Sequence, residues 1–191
     1  MTSFFLLFMF FISSNVFCLT TGNVNFFVGI KNLDEADWEP VEKQNEYGVL
    51  VDFKQNDWPI SIAIDALLSK GEKKEYDSFF GTDVKYEAEI VELGFGVRKI
   101  IKPNSILSLS FGGGIAAIQA DIKLSAFLSS ASDDDKGVGF WADFGAFLTV
   151  GEEKVFNIGL NIRYSDAEVE IADSEGEAGG RHIALIFGFH W

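Results

Sequence analysis

The segment over residues 181–191 alternates between apolar residues and residues that are mostly polar or small. Its apolar face is formed by Ile183, Leu185, Phe187, Phe189 and Trp191. Its other face carries His182, Ala184, Ile186, Gly188 and His190. Period-two alternation predicts a strand. A strand with so apolar a face is an aggregation-prone edge in a soluble protein, but an ordinary wall strand in a closed barrel that faces lipid.

Seven further segments have similar strand character. They are rich in β-branched and aromatic residues, and Gly, Asp or Asn residues separate them. With the first segment, the strand candidates are residues 24–32, 47–53, 60–69, 86–100, 105–120, 138–150, 155–164 and 181–191. No competing stretch of ten or more residues shows helical periodicity, so the sequence predicts an all-β chain.

The connections between these strands alternate in length. The long ones are residues 33–46, 70–85, 121–136 and 165–180, and the short ones are residues 54–59, 102–104 and 151–154. Alternating short turns and long loops are typical of an eight-stranded antiparallel up-and-down transmembrane β-barrel, with its short turns in the periplasm. A tilted strand of about ten residues covers about 23 Å, which matches the apolar band of such a barrel.

Charge is concentrated in the long connections. The chain is 48% hydrophobic and has a net charge of -14. The four long connections together carry -13 of that charge, so the strands are nearly neutral. We therefore expect acidic extracellular loops that could bind a surface ligand, and no binding of nucleic acid. Loose binding of Ca²⁺ or Mg²⁺ by these acids is an open alternative, although no calcium-loop motif is present.

The strand faces opposite the apolar ones carry polar side chains. A charge facing lipid costs about 2–4 kcal/mol near the bilayer midplane, so these groups are expected inside the barrel. The predicted interior polar network consists of Asp52, Asp65, Glu92, Arg98, Asp143, Arg163, His182 and His190. Many glycines share this face and make room for larger side chains. An eight-stranded barrel has a lumen just wide enough to be filled by such side chains.

The meander of strands and the terminal pattern Ile183-x-Leu185-x-Phe187-x-Phe189-x-Trp191 resemble the small eight-stranded outer-membrane barrels, the OmpA transmembrane-domain and OmpX-like class. The resemblance implies a monomer in the bacterial outer membrane, in contact with membrane lipid and lipopolysaccharide. It also implies that the barrel-assembly machinery reads the terminal strand as its signal.

The N-terminal stretch is predicted to be a signal peptide. Residues 4–12 form an apolar run of nine, and small and polar residues follow it. Nine residues are too few for a spanning helix but suit the core of a signal peptide. We place the signal peptide at residues 1–21 and the barrel domain at residues 22–191. Cys18 is the one cysteine of the chain, so no disulfide or paired-cysteine metal site is available.

Candidate chemistry is sparse. His182 and His190 are the two histidines, and their positions on one strand face place them about 26 Å apart, too far to share a metal. The sequence thus predicts a structural or surface-interaction protein without enzymatic activity, cofactor or metal. One alternative is a barrel enzyme acting on outer-membrane lipid, which requires a nucleophile near His182, with Ser165 in reach. Another is a soluble lipocalin-like binding barrel, whose apolar face would point inward.

Overall fold

The computed structural model describes residues 20–77, 82–126, 129–151, 155–171 and 174–191. Its elements are β1 (Thr20–Asn32), α1 (Glu35–Trp38), β2 (Lys43–Gln55), β3 (Ser61–Asp77), β4 (Thr82–Ile101), β5 (Leu107–Ala126), β6 (Ser129–Val150), β7 (Phe156–Asp166), β8 (Glu168–Ile171), β9 (Ser174–Glu177) and β10 (Gly180–His190). Among these residues no helix is long and apolar enough to cross a membrane. The predicted signal peptide lies outside the described residues except for Thr20 and Thr21, and it stays a prediction.

Eight strands close into a barrel in the order β1-β10-β7-β6-β5-β4-β3-β2. Every neighbouring pair is antiparallel, and sequential strands are adjacent, as in an up-and-down meander. β10 closes the ring by pairing with β1, with Ile183 opposite Ile30 and Phe189 opposite Val24. Closure leaves no strand edge within the ring, which satisfies the backbone hydrogen bonds that lipid cannot satisfy. The predicted fold class is confirmed.

The outer wall of the barrel is apolar. Leu185 is 59% exposed and Leu160 is 56% exposed, and their neighbours along the same strands alternate between outside and inside. Exposed apolar residues of this wall come from every barrel strand, and they include Phe26, Ile60, Leu93, Phe111, Phe144, Ile158 and Phe187. So large an apolar surface is incompatible with water but suits the hydrocarbon of a bilayer. It also contradicts the lipocalin-like alternative, which places this face inside.

Two of the predicted long loops are instead extensions of the barrel strands. The β3–β4 ladder continues to Asp77↔Thr82, and the β5–β6 ladder continues to Ala126↔Ser129. Most residues of these outer hairpins are exposed or half-buried, so the apolar alternation that reveals a strand is weak there. Cross-strand ion pairs accompany the pairing, with Lys70 Nζ 2.6 Å from Glu89 Oε2. Each such pair favours strand pairing by about 0.2–1 kcal/mol.

Described residues of the other two long connections fold together into what we call the outer cap, residues 33–41, 167–171 and 174–178. Asp34 caps α1 by accepting a hydrogen bond from Ala36 N (2.9 Å). Trp38, only 3% exposed, donates from Nε1 to the Glu177 carbonyl (2.7 Å) and thereby joins the two halves of the cap. Apolar cap residues pack on an interior cluster that includes Ile90, Ile118 and Trp141. The outer end of the lumen is therefore covered.

A second apolar cluster lies inside the barrel. It consists of Phe27, Leu50, Leu67, Phe147, Ala184 and Ile186. The interior is thus more apolar than the predicted polar face suggests. In a barrel this narrow, side chains from opposite walls touch one another, so they pack as a core and need not all be polar.

Candidate functional site

A pair of buried arginines crosses the centre of the lumen. Arg98 on β4 donates from Nη2 to Asp143 Oδ2 on β6 (2.6 Å) and to Asp65 Oδ2 on β3 (3.0 Å). Arg163 on β7 donates from Nη1 to the same Asp65 oxygen (2.8 Å). Asp65 therefore lies between two guanidinium groups and joins β3 to β4 and β7, and Arg98 extends the connection to Asp143 on β6.

Toward the outer end, Glu92 contacts both Arg163 and Lys31. Arg163 donates to Glu92 Oε1 from Nε (2.9 Å) and from Nη2 (2.6 Å), in a fork geometry that favours Arg over Lys. Lys31 Nζ lies 3.6 Å from Glu92 Oε2 and also donates to the Ala178 carbonyl (2.9 Å). Since Ala178 belongs to the outer cap, Lys31 ties the cap to the buried network.

Beside Glu92 lies an arrangement of Ser165, His182 and Glu46. Ser165 Oγ is 2.9 Å from His182 Nε2, and His182 Nδ1 is 2.8 Å from Glu46 Oε2. This order of hydroxyl, imidazole and carboxylate is the order of a nucleophile, a base and an orienting acid. Ser165 Oγ is also 2.9 Å from Glu92 Oε2. The single hydroxyl proton thus has two competing acceptors.

Toward the short-turn end, the network continues through amides. Asn157 donates to Asn23 Oδ1 (2.9 Å), and Asn23 donates to Asp52 Oδ1 (2.9 Å). Asp52 Oδ2 lies 4.0 Å from Arg98 Nη1. Seven of the eight residues of the predicted interior network, all except His190, are thereby connected in one buried chain of contacts. The structure places His190 apart from them, at the short-turn mouth, with Nδ1 3.0 Å from the Gly22 carbonyl.

Trp141 is the aromatic platform of the network and is only 1% exposed. The Arg163 guanidinium carbon lies 4.4 Å from the ring centroid, and that of Arg98 lies 5.5 Å away. Desolvated cation–π contacts of this kind contribute about 2 kcal/mol. A Cβ at Gly94 would lie 2.8 Å from Arg163 Nη2, and one at Gly112 would lie 2.9 Å from the Trp141 ring. Glycine is needed at both positions to seat these side chains.

The network predicted from the sequence omitted Lys31, Glu46 and Ser165, although Ser165 was considered as a residue within reach of His182. Glu46 fell in a segment interpreted as a loop, whereas β2 begins at Lys43. The sequence did contain a signal for its position. Buried residues recur there with a period of two, at Gln44, Glu46, Leu50 and Asp52.

The pairing of buried charges explains why these residues occur together. The contacts described above involve five carboxylates, three cationic side chains and one histidine, supplied by β1, β2, β3, β4, β6, β7 and β10. Buried charges are tolerated when they are paired and hydrogen-bonded. Within the described part of the chain no group of three or more His, Cys, Asp or Glu side chains is placed to hold a metal ion. The chemistry supported by this arrangement is cross-linking of the barrel walls.

No protein-family model matches the chain, and a search of curated proteins found no match. The fold does match solved structures. Ail of Yersinia pestis, in complex with the heparin analogue sucrose octasulfate, has a TM-score of 0.59 at 11% identity, over 91% of this chain and 99% of that one. Neisserial surface protein A has a TM-score of 0.53 at 12% identity, over 90% of this chain and 95% of that one.

These likenesses concern the fold, and they confirm that the chain has the architecture of the small eight-stranded outer-membrane barrels. The apolar wall and this architecture together agree with the predicted location in the bacterial outer membrane.

Removing Arg163 tests the network. In Arg163→Met, Glu92 and Asp65 lose their shared partner inside the lumen. Breaking a buried ion pair from one side typically costs about 3–5 kcal/mol, so the free energy of unfolding measured in lipid vesicles should fall by that amount. The matched control is Lys70→Met, whose ion pair with Glu89 is exposed and should contribute at most about 1 kcal/mol. Equal losses in the two variants would contradict the central role of Arg163.

Proposed function

We propose that this protein is an outer-membrane barrel with a closed lumen, whose role is structural and whose outer end binds a surface partner. The observation that carries the proposal is the continuous buried network from Asn157 to Glu46, together with the cap above it. Side chains that meet across the lumen leave no room for a wide aqueous pore. What remains available for interaction is the outer surface.

The outer surface is acidic and its parts are joined. In the sequence, residues 33–41 carry a net charge of -4 and residues 165–180 carry -6. The cap contacts the β5–β6 hairpin where Glu170 N donates to Asp135 Oδ2 (2.7 Å). This hydrogen bond, with a second from the Lys136 backbone, lowers the pKa of Asp135, so its carboxylate remains charged at neutral pH. A strongly acidic surface attracts cationic partners and repels anionic ones.

The partner class should therefore differ from that of Ail. The Ail structure contains a sulfated, polyanionic heparin analogue. The acidic cap of this chain favours a basic protein segment instead. We further propose that the apolar wall contacts outer-membrane lipid and lipopolysaccharide, that the barrel is monomeric, and that the assembly machinery reads the apolar face of the β10 segment.

Binding of a basic peptide tests the surface role. Decalysine should bind the barrel in nonionic micelles, more weakly as salt rises, and sucrose octasulfate should not bind. The triple variant Glu168→Gln, Glu170→Gln, Glu175→Gln should weaken decalysine binding about 3- to 150-fold, since each exposed charge contact contributes about 0.2–1 kcal/mol. The control Glu72→Gln, Glu75→Gln, Asp83→Asn removes the same charge from the β3–β4 hairpin. Equal weakening by both triple variants, or tighter binding of sucrose octasulfate, would contradict a role for the cap.

A hydrolase is the second candidate, because Ser165 is a nucleophile within hydrogen-bond distance of His182. We infer that the arrangement is structural. Ser165 and His182 are both 0% exposed, and Glu92 competes with His182 for the hydroxyl proton. A reacting carbonyl must approach within about 3 Å of the nucleophile, and the packed lumen around Ser165 is filled by its neighbours.

A fluorophosphonate probe separates the two functions. It reacts with activated serines, so the folded wild-type barrel in vesicles should be labelled no more than Ser165→Ala. Heat-modifiable gel mobility confirms that both proteins are folded. Labelling that disappears in both Ser165→Ala and His182→Ala would instead establish a serine hydrolase.

A further inference from the structure

A cavity of about 310 Å³ opens at the short-turn end of the barrel. We call it the inner vestibule. Its wall includes Lys54 from β2, Lys102 after β4, and His190 from β10, together with Ser61, Ile60 and Ile100. It lies at the opposite end of the lumen from the acidic cap, and the buried network described above separates the two.

Two ammonium groups line the vestibule. Lys54 Nζ donates to the Trp58 carbonyl (3.1 Å), and Lys102 Nζ lies 3.3 Å from His190 Nε2. An ammonium group has three donor hydrogens, so each lysine keeps hydrogens for a ligand. Asp52 forms part of the floor, where Asn23 donates to it and Arg98 offsets its charge. Among the charged side chains that line the vestibule there are two lysines and one aspartate that is already paired, which contrasts with the acidic outer end of the barrel.

One side of the vestibule is apolar. Pro59, Ile60 and Ile100 contribute the apolar part of its lining, and Ile60 is 41% exposed. Ile60 is therefore shared between the vestibule and the lipid-facing wall. A ligand with both an anionic group and hydrocarbon could contact the lysines and Ile60 together.

The height of the vestibule in the bilayer identifies such a ligand. Trp58 and Ile101 are both exposed beside it, and an indole next to the end of an apolar wall marks the membrane interface. Short turns of these barrels face the periplasm, so the vestibule lies level with the headgroups of the inner leaflet. The abundant anionic group at that level is the phosphate of a phospholipid.

We propose that the inner vestibule binds the phosphate of an inner-leaflet phospholipid between Lys54 and Lys102, with the glycerol and the first acyl carbons against Ile60. The site holds one lipid at the barrel mouth by charge and apolar contact together. It is independent of the proposed surface function, since no residue of the outer cap takes part.

The test compares three probes on the barrel in maltoside micelles, by native mass spectrometry and calorimetry. The probes are dihexanoylphosphatidylglycerol, inorganic phosphate and dihexanoylglycerol, which lacks the phosphate. The variant Lys54→Gln, Lys102→Gln should weaken binding of the phospholipid at least about tenfold, as expected for the loss of charged hydrogen bonds. The control Lys73→Gln, Lys123→Gln removes the same charge from the outer hairpins and should leave binding within about twofold of wild type.

The source of the phosphate is decided by the other two probes. Ile60→Ser should weaken phospholipid binding and leave inorganic phosphate unaffected. Inorganic phosphate binding as tightly as the phospholipid would overturn the lipid assignment in favour of a free anion. If the two double lysine variants weaken phospholipid binding equally, or if dihexanoylglycerol binds as tightly as the phospholipid, the proposed site is wrong. Heat-modifiable mobility checks folding, and Lys102→Gln alone serves if the double variant does not fold.

Discussion

The pairing of charges inside the lumen is the constraint on which the rest of this structure depends. Asp65, Glu92 and Asp143 are buried in a barrel surrounded by lipid, where an unpaired carboxylate would cost several kcal/mol. Arg98 and Arg163 offset these charges with hydrogen bonds of 2.6–3.0 Å to all three. Because the partners come from different strands, satisfying the charges also fixes the strands relative to one another.

The alternation of residues along each strand meets a different physical requirement on each face of the barrel wall. Facing lipid, the backbone can satisfy its hydrogen bonds only within the closed ring, so the wall needs apolar side chains and nothing more. Facing inward, the narrow lumen forces side chains from opposite walls into contact. The Trp141 side chain lies against Gly94 and Gly112, so a large side chain fits where these facing residues have none. The resulting core separates an acidic outer end from a basic inner vestibule.

The sequence was most informative in the strands of the barrel wall, where one face is apolar and the other carries polar residues. Period two located all eight wall strands, and it placed Asp52 and Arg163 on the inner face. It failed in the β3–β4 and β5–β6 extensions, because most residues there are at least partly exposed and no continuous apolar stripe marks the strands. At Glu46 the buried alternation with Gln44, Leu50 and Asp52 was present, but the segment was interpreted as a loop. The sequence placed Ser165 within reach of His182, but it could not show that His182 contacts Glu46 or that His190 lies apart from the network, because those contacts depend on residues of other strands. Nor could a pattern along the chain reveal that two distant loops join through Trp38.

Planar-bilayer recording of the refolded wild-type barrel tests the central claim most directly. If the paired charges and the two apolar clusters fill the lumen, the barrel should insert without giving stable unitary conductance. Insertion is checked independently by heat-modifiable mobility of the same sample. Persistent conductance steps of a few hundred picosiemens or more would contradict a closed lumen, since steps of that order require an aqueous channel through the network.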